Sequence, residues 1–533
     1  MTKSYDIIIV GGGSSACAAA YDLVRSGRVS VLMIEAGKRA RDPWMNIPGT
    51  FVKALQKGVH TRMYHSAPEP QINNQQYAIP VGYVLGGGSA VNVMNYQRGG
   101  AADYADWVEM GCDGWSYDEV LPVFRRQETN TTFGDSDYHG GDGPLIVSDV
   151  AKRNPLSEQY LEAALAAGYS RNFDFNGETQ KGFGYFQGTM GNGIRSAAQR
   201  VFLKPLARSE NFDLMTEAKV QKVNIENGVA RSVLVAHKGE MVEIACHGEI
   251  LIAAGAFASP QILQASGIGP RAVLQGTGVE MVRESPGVGE NFMDHTMFWH
   301  GIVLNQKLGY YRQDQGLNAV KNGLEYLATR KGVLASFLTE TGGFVDTTGQ
   351  DGRPDAQIIT NCLLPAPPPQ MRIPEYGFNS TVQCARPKSR GHIHITSGDG
   401  SRAPVWVSGV LTDRYDIDVS IRGMRILRDI LEQQPMRALR KRIHFPPTED
   451  WSDEGLEAYL RATPRTSFHP SGTVRMGAEN DDRSPLDPRL RVKGVRGLRV
   501  IDLSTIPQLV AGNTNAPAMM IGGRAADFVL QDL

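Results

Sequence analysis

One histidine lies in a stretch of proline, glycine, serine and threonine near the carboxyl end of the chain, TSFHPSGTVRMG, residues 466–477. Histidine can accept and return a proton near neutral pH, so His469 is a candidate general base. Pro470 restricts the residue before it to extended backbone, which fixes the direction of the ring. Gly472 and Gly477 let the backbone pass other groups closely, because they carry no Cβ. Alone, a histidine in such a loop is more often a hydrogen-bonded structural residue, so the rest of the chain must decide.

The amino-terminal residues carry the strongest local pattern, YDIIIVGGGSSACAAAYDLVRSGRVSVLMIEAG. The β-branched run DIIIV predicts a strand buried in a parallel sheet. Gly11, Gly13 and Ala16 follow with the spacing G-x-G-x-x-A, and the small and apolar residues 16–24 predict a helix. A second predicted strand, VSVLMI, leads to Glu35. The unit is therefore strand, turn, helix and strand with an acidic residue at its end.

This unit is typical of a dinucleotide site. Gly11 allows the tight turn, and Gly13 lets the backbone approach a pyrophosphate. The helix N-terminus, which Ser14 and Ser15 precede, offers N–H groups and positive dipole to the phosphates. Glu35 can accept hydrogen bonds from the adenosine ribose. The unit itself leaves open whether the nucleotide is NAD or FAD, and a glycine-rich turn without ligand is the alternative.

Composition excludes several partners and compartments. The 533 residues include 55 Lys and Arg against 56 Asp and Glu, so no basic field exists to hold a nucleic acid. The chain shows no secretory leader pattern and no apolar run of about 18 residues, so we expect a cytoplasmic enzyme without a membrane span. The five cysteines are scattered without C-x-x-C spacing, which predicts reduced, buried thiols and no metal site.

Four further stretches reveal a family. They are GYVLGGGSAVNVMNYQRG (82–99), GAFASPQILQASGIG (255–269), SFHPSGTVRMG (467–477) and GNTNAPAMMIGGRAAD (512–527). With the amino-terminal unit they closely resemble the glucose–methanol–choline oxidoreductases, which are FAD-dependent alcohol oxidases and dehydrogenases. The matches run from residue 5 to residue 528. The resemblance implies FAD as the cofactor and an α/β fold, in which a Rossmann-like FAD-binding domain carries a sheet-and-helix (α+β) substrate-binding cap.

The resemblance also assigns roles to residues. His469 aligns with the catalytic histidine, which takes a proton from the substrate hydroxyl while hydride leaves the adjacent carbon for the flavin. Asn513, alone an ordinary turn residue, aligns with its partner and would donate a hydrogen bond to the same alcohol oxygen. Further cofactor contacts fall at Gly86, Gly87, Ser89, Asn92, Met94, Val220, Ala254, Asp502, Asn515 and Ala516.

Three positions depart from the family pattern. Some members tether FAD through a histidine next to the Asn92 position, whereas this chain has Val91 there, so we expect non-covalent FAD. Tyr83 replaces a basic or small polar residue, and Leu503 replaces an alanine. Both can reshape a flavin contact, but neither removes a reacting group.

Other candidate residues receive structural interpretations. His392 and His394 share one face of a predicted strand, as a metal pair could, but no third ligand is near, so we expect a polar strand face. Asp294 and His295 belong to a family-like stretch and are expected to form a structural hydrogen-bonded pair. The Pro-rich residues 364–378 predict an irregular loop. Candidates for lining the pocket are Glu340, Tyr64, Trp299, Phe337 and Phe378.

The family-like nucleotide segments predict a discontinuous FAD domain, residues 1–150, 200–300 and 465–533. The cap would then comprise residues 151–199 and 301–464. In it, DAQIITNCLL, GHIHITS and APVWVSG have strand character, and YDIDVSIRGMRILRDILEQQ predicts an amphipathic helix.

The expected activity is FAD-dependent oxidation of an alcohol, of primary or benzylic type, with dioxygen or another acceptor reoxidising the flavin. The alternative is a hydroxynitrile lyase on the same scaffold, which keeps FAD without net redox chemistry. A light-driven decarboxylase of the family is opposed by the retained His469, and a flavin-containing binding protein by the intact His469–Asn513 pair. An NAD-linked dehydrogenase would leave the flavin-like loops unexplained.

Overall fold

Two large sheets organise the chain in the computed structural model, which describes residues 4–51, 57–350, 352–366, 372–400 and 402–533. Each sheet has seven strands. The first is mainly parallel and is built from both ends and the middle of the sequence. The second is antiparallel and comes from residues between the two nucleotide-like ends.

The first sheet contains the predicted amino-terminal unit. Its strands are Tyr5–Val10, Val31–Glu35, Phe212–Thr216, Ala218–Glu226, Val229–His237, Glu240–Ile252 and Leu498–Val500. Tyr5–Val10 pairs in parallel with Val31–Glu35 on one side and with the carboxyl end of Glu240–Ile252 on the other. Phe212–Thr216 and Leu498–Val500 add parallel strands at the two flanks. Because all five carboxyl ends meet at one edge, this edge is the expected ligand site of a doubly wound sheet.

Two helices cover one side of this edge. Ser14–Arg25 follows the first strand, as predicted, and Asn515–Asp532 packs along it near the end of the chain. Gly522 makes the close approach possible, since a Cβ there would lie 2.8 Å from the backbone carbon of Ser15. The amino-terminal strand thus shares its core with a helix from the other end of the sequence.

The second sheet supports the opposite wall of the site. Its strands are Gly182–Tyr185, Thr296–Leu304, Thr341–Val345, Ala356–Asn361, Gly377–Cys384, Arg440–Phe445 and Arg465–Thr466. The predicted strand in DAQIITNCLL is confirmed as Ala356–Asn361, and the predicted amphipathic helix as Arg414–Leu431. The domain boundaries given above stay a prediction.

Short strand pairs and helices complete the fold. The pairs are Thr61–Glu69 with Gln75–Gly82, Glu128–Asn130 with Leu145–Val147, Met190–Gly191 with Ile194–Arg195, Ile268–Gly269 with Arg283–Glu284, and His392–His394 with Val405–Val407. Further α-helices of the described ranges are Gly88–Val91, Ala101–Glu109, Tyr117–Gln127, Pro155–Ala166, Gly255–Ala265, Arg271–Thr277, Gly316–Thr329, Met436–Leu439 and Asp453–Ala462.

Three further expectations can be compared with the structure. The centre of the predicted Pro-rich loop, 367–371, lies outside the described residues, and its last two positions begin the strand Gly377–Cys384. All five cysteines are free and buried, as predicted. Across the described ranges, no helix has the length and apolar character needed to cross a bilayer.

Candidate active site

A cavity of about 370 Å³ opens at the carboxyl ends of the parallel strands. Its wall includes Gly11 after the first strand and Glu35 at the end of the second. It also includes Ala254 after the long middle strand and Asp502 after the last one. Most sequence-predicted site residues line it, although they come from distant parts of the chain. They are Gly11, Gly13, Ser14, Ser15, Glu35, Gly87, Asn92, Met94, Val220, Ala254, His469, Asp502, Asn513 and Asn515.

Three predicted cofactor residues lie behind the cavity wall instead. The Gly86 N–H donates to Gly12 O at 2.7 Å, which ties the second glycine loop to the first. The Ser89 hydroxyl donates to Gly86 O at 2.6 Å and accepts the N–H of Ala198. Ala516 is buried in the last helix. These residues shape the wall rather than face the cavity.

The end of the cavity nearest the amino terminus suits a pyrophosphate. No side chain caps the helices Ser14–Arg25 and Asn515–Asp532, so their first N–H groups stay available. The Ser14 hydroxyl donates to Asn515 Oδ1 at 2.7 Å, which holds the two helix N-termini together. At Gly13 a Cβ would meet no atom within 4 Å, so packing within the protein does not require a glycine at this position. The space beside it is open to a ligand. These features fit the expected pyrophosphate cradle, whose role stays a prediction.

Two buried carboxylates fix this half of the site. Glu35 accepts the N–H of Gly12 at 2.7 Å and that of Gly37 at 2.6 Å. Burial raises the pKa of Glu35, and the two N–H donors oppose that rise. Asp502 accepts the N–H of Gly255 and the hydroxyl of Ser259, at 2.8 and 2.5 Å. Each carboxylate retains lone pairs toward the cavity, so ribose or ribityl hydroxyls can still donate to it.

The catalytic pair predicted from the sequence is assembled at another part of the wall. Asn513 Nδ2 lies 3.2 Å from His469 Nε2, although 44 residues separate the two in the chain. The backbone N–H of His469 donates to Asp294 Oδ1 at 2.8 Å. Asn513 Oδ1 is buried and has no hydrogen-bond partner among the described residues, so a bound molecule can donate to it.

A second histidine determines the tautomer of the first. His295 Nε2 lies 2.9 Å from Ala385 O, and a carbonyl can only accept, so this nitrogen carries the proton. In a neutral ring His295 Nδ1 is then an acceptor, and His469 Nδ1 donates to it across 2.9 Å. His469 Nε2 is left with its lone pair, to which Asn513 donates. The basic nitrogen of His469 is therefore Nε2, whose lone pair accepts from Asn513 in the cavity wall.

Burial keeps both rings neutral. It lowers the pKa of His469 well below its ordinary value of 6.5, and the neighbouring His295 lowers it further. Burial also lowers the pKa of His295 to about 4. The pKa of Asp294 is raised to about 7 by burial, against hydrogen bonds from Thr466 and the His469 N–H. At neutral pH His469 is consequently an uncharged proton acceptor.

Sequence reasoning missed the role of three residues. The expected side-chain pair of Asp294 with His295 is not formed; both contact His469 instead, one its backbone and the other its ring. Asn95 was not singled out, yet it lines the cavity and its Nδ2 has no partner among the described residues. Its Oδ1 accepts the hydroxyl of Thr339 at 2.8 Å, which directs the amide N–H groups away from that contact.

The remaining candidates divide clearly. Of the five proposed pocket residues only Tyr64 lines this cavity, and Glu340 accepts the Asn154 N–H and the Ser157 hydroxyl elsewhere. His392 and His394 lie on one strand, as predicted, and His394 Nε2 lies 2.8 Å from Glu290. Within the described ranges no group of three His, Cys, Asp or Glu could hold a metal ion.

The three departures from the family pattern, Val91, Tyr83 and Leu503, all line the cavity.

The fold and the cavity together define a dinucleotide-binding scaffold with a neutral histidine in its wall. Comparison with known proteins identifies the family. Residues 5–297 match the family model described as GMC oxidoreductase, and residues 387–522 match its carboxyl-terminal part. The chain belongs to the glucose–methanol–choline oxidoreductase family, which uses FAD and acts on alcohol-type donors.

Characterised relatives cover nearly the whole chain. An alcohol dehydrogenase [acceptor] of Pseudomonas putida is 35% identical over 99% of this chain and 96% of its own length. An oxygen-dependent choline dehydrogenase of Photobacterium profundum is 34% identical over 99% of this chain and 94% of its own. Among solved structures, pyridoxine 4-oxidase from Mesorbium loti has a TM-score of 0.88 at 25% identity, with 98% of each chain covered. A fungal aryl-alcohol oxidase, at 23% identity, shares the fold with a TM-score of 0.86 over 100% of both chains.

The residues present fit FAD. The uncapped helix N-termini and the open space at Gly13 suit its diphosphate, and the lone pairs of Glu35 and Asp502 suit its hydroxyls. Val91, at the position where some family members carry a tethering histidine, offers no nucleophile. The cofactor expected from the sequence is therefore supported by the cavity and by the family.

Proposed function

We propose that this protein oxidises a primary or benzylic-type alcohol to the aldehyde or ketone, with His469 as the base. The observation that carries the proposal is the hydrogen-bond series from Ala385 O through His295 to His469. It places the His469 proton on Nδ1 and leaves Nε2 with its lone pair, to which a substrate hydroxyl can donate in place of the Asn513 N–H. A base whose proton is held on the other nitrogen is ready to accept a second one at Nε2.

The chemistry divides between the cofactor and the chain. Bound FAD supplies the two-electron acceptor for the hydride that leaves the alcohol carbon. His469 Nε2 accepts the hydroxyl proton, so the histidine becomes a cation while the carbon–oxygen bond becomes a carbonyl. Asn513 Nδ2 donates to the same oxygen and stabilises the negative charge that develops on it. Pro470 and the Asp294 contact hold the histidine in place, as the short distances of hydride transfer require.

The positions of the cavity's carboxylates, away from His469, favour a neutral substrate over a quaternary amine. Among the described residues that line it, the acidic ones are Glu35 and Asp502. Both accept backbone N–H groups in the half assigned to the nucleotide, so neither is placed as a counter-ion beside His469. Although some relatives are named choline dehydrogenases, this arrangement supports an uncharged alcohol.

The acceptor and the compartment complete the proposal. Relatives named for an acceptor and for oxygen dependence support reoxidation by dioxygen or another small acceptor. The buried free thiols support a reducing compartment, the cytoplasm. The FAD is non-covalent, as Val91 indicates, and would be released intact by denaturation.

The test is an anaerobic titration of the purified holoprotein with a panel of alcohols, followed by admission of air. We expect the flavin absorbance to bleach with at least one uncharged alcohol, and choline to be a poor donor. The matched variant His469→Gln should retain FAD and bleach at least a hundredfold more slowly. Flavin that no alcohol reduces, together with conversion of a cyanohydrin, would instead establish the lyase. Rapid return of colour in air would indicate an oxidase.

A further inference from the structure

One surface helix turns its aliphatic side away from the protein. In Gly316–Thr329 the side chains Leu317 and Leu327 are 88% and 71% exposed. Val320 and Leu324 are 59% and 63% exposed. The spacing of three, four and three residues places all four on one helix face. An ordinary amphipathic helix buries such a face, so this exposed aliphatic stripe (Leu317, Val320, Leu324, Leu327) needs a physical explanation.

The opposite, more polar side of the same helix holds it to the protein. The buried residues of the helix are Asn322 and Tyr326. Asn322 Nδ2 donates to Gln313 O at 2.7 Å, and the Tyr326 hydroxyl donates to Gly193 O at 2.9 Å. The helix is thus anchored in one rotational setting, and its exposed aliphatic stripe is a fixed feature of the surface.

Basic residues are in excess in the helix and in the segments that flank it in the sequence. Residues 307–331 contain five basic and two acidic side chains, a formal charge of +3 on a chain whose total is −1. Asp314 and Glu325 are engaged with Arg372 and Lys152, at 2.9 and 3.7 Å. Within the described ranges, by contrast, the exposed basic side chains of this segment form no ion pair; they are Lys307, Arg312, Lys321, Arg330 and Lys331.

We propose that this helix binds the surface of an anionic phospholipid bilayer, with the exposed aliphatic stripe in the boundary between headgroups and acyl chains. Aliphatic residues flanked by lysine and arginine are the composition of helices that lie in such an interface. The excess positive charge complements anionic headgroups. The protein would then be attached peripherally, without a spanning segment.

A second copy of the chain is a less suitable occupant. Four exposed aliphatic side chains offer roughly 400 Å² of apolar surface, since each buries on the order of 100 Å². A stable protein–protein interface needs about 800 Å² from each partner. Two such helices would also bring their excess positive charges together, whereas an anionic surface neutralises them.

The experiment is co-sedimentation of the full-length holoprotein with vesicles. We expect sedimentation with vesicles of phosphatidylglycerol and phosphatidylethanolamine, and at least tenfold weaker partition to phosphatidylcholine alone. High salt should weaken the anionic binding, since exposed charges are screened. In the variant Leu324→Trp, which places a fluorophore in the stripe, emission should shift to the blue when anionic vesicles are added.

The variants separate the stripe from general surface effects. Substituting Leu317→Ser, Leu324→Ser and Leu327→Ser together should reduce partition at least tenfold and leave the thermal midpoint unchanged, because all three side chains are exposed. The matched control is Phe173→Ser, which removes an 80% exposed aromatic elsewhere and should leave partition unchanged.

Two results would overturn the proposal. One is a wild-type holoprotein that stays in the supernatant with anionic vesicles, or a triple variant that sediments as well as the wild type. The other comes from sedimentation velocity without lipid: a wild-type dimer that the triple variant converts to a monomer would make a second copy the occupant of the stripe.

Discussion

His469 and His295 face each other through their Nδ1 atoms at 2.9 Å, with the two rings nearly perpendicular at 88°. Only one of two neutral rings can supply the proton in this contact. Ala385 O accepts the Nε2–H of His295, so the neutral His295 ring has no proton on Nδ1. His469 is therefore the donor. His295 is therefore a positioning residue: it acts through His469 and controls which nitrogen remains basic.

Replacing His295 should reveal this control. His295→Leu removes the acceptor for His469 Nδ1–H, so the proton can move to Nε2, and we expect kcat to fall by roughly 10²- to 10⁴-fold. His295→Gln should restore most of the loss, since its carbonyl can accept from His469 while its amide donates to Ala385 O. The measurement is the rate of anaerobic flavin reduction. Equal rates for the two variants would show that tautomer control is not the role of His295.

Asn513 should act mainly on the transition state. Asn513→Ala removes the Nδ2 donor near the alcohol oxygen, and we expect kcat to fall about 10²- to 10³-fold with a smaller change in KM. Asn513→His, which retains an N–H donor, should keep more of the activity. Steady-state kinetics over a range of alcohol concentrations separates the two parameters. A change confined to KM would indicate a substrate-binding role only.

Gly13 should affect the cofactor but not the fold. Its backbone, φ −77° and ψ −170°, is allowed for alanine, and its Cβ position is open. Gly13→Ala should therefore leave the apoprotein as stable as the wild type but weaken FAD at least tenfold, because the methyl occupies space assigned to the diphosphate. Flavin titration of the apoprotein and thermal unfolding give the two values. Gly276→Ala, also into open space but far from the cavity, should not change FAD affinity.

His300 should make the protein sensitive to acid. It is fully buried, its ring nitrogens have no partner among the described residues, and burial lowers its pKa to about 3. The unfolded chain, with a pKa near 6.5, binds a proton as pH falls below that value, whereas the folded protein does not. Stability is thus lost between about pH 6.5 and 3, and at pH 4 the loss is about 3 kcal/mol.

Denaturant unfolding at pH 7 and pH 4 tests this loss. His300→Phe should reduce the difference between the two pH values by about 3 kcal/mol. The exposed His247, changed to Asn, should leave the difference unchanged. If His300→Phe shows the wild-type pH dependence, the folded protein accepts a proton at His300.

Local patterns were sufficient for the amino-terminal nucleotide unit. The glycine spacing and the apolar runs predicted the strand, turn, helix and strand from Tyr5 to Glu35, and the structure has them. The 3.2 Å contact of His469 with Asn513 could be expected only from the family motifs, because no local rule joins positions 44 residues apart.

The position of His295 was beyond sequence reasoning for a physical reason. Its ring contacts that of His469, which is 174 residues away in the sequence. The two come together only because the second sheet folds the intervening chain back to the site. Asp294 and His295 are adjacent in sequence, which suggested a hydrogen bond between them. Yet neighbouring residues of an extended chain direct their side chains to opposite sides, and the strand starting at Thr296 follows directly. This alternation was the signal that argued against the pair.

The hydrogen bond from Ser14 to Asn515 has a consequence for synthesis. It joins residues 501 positions apart, and the strand Leu498–Val500 completes the same sheet edge. A ribosome releases the amino-terminal strand first, but that strand cannot acquire its full set of neighbours until the last helix has emerged. The nascent chain must therefore keep an unfinished nucleotide fold until residues 498–532 have left the ribosome. FAD can be captured in its final setting only after that point.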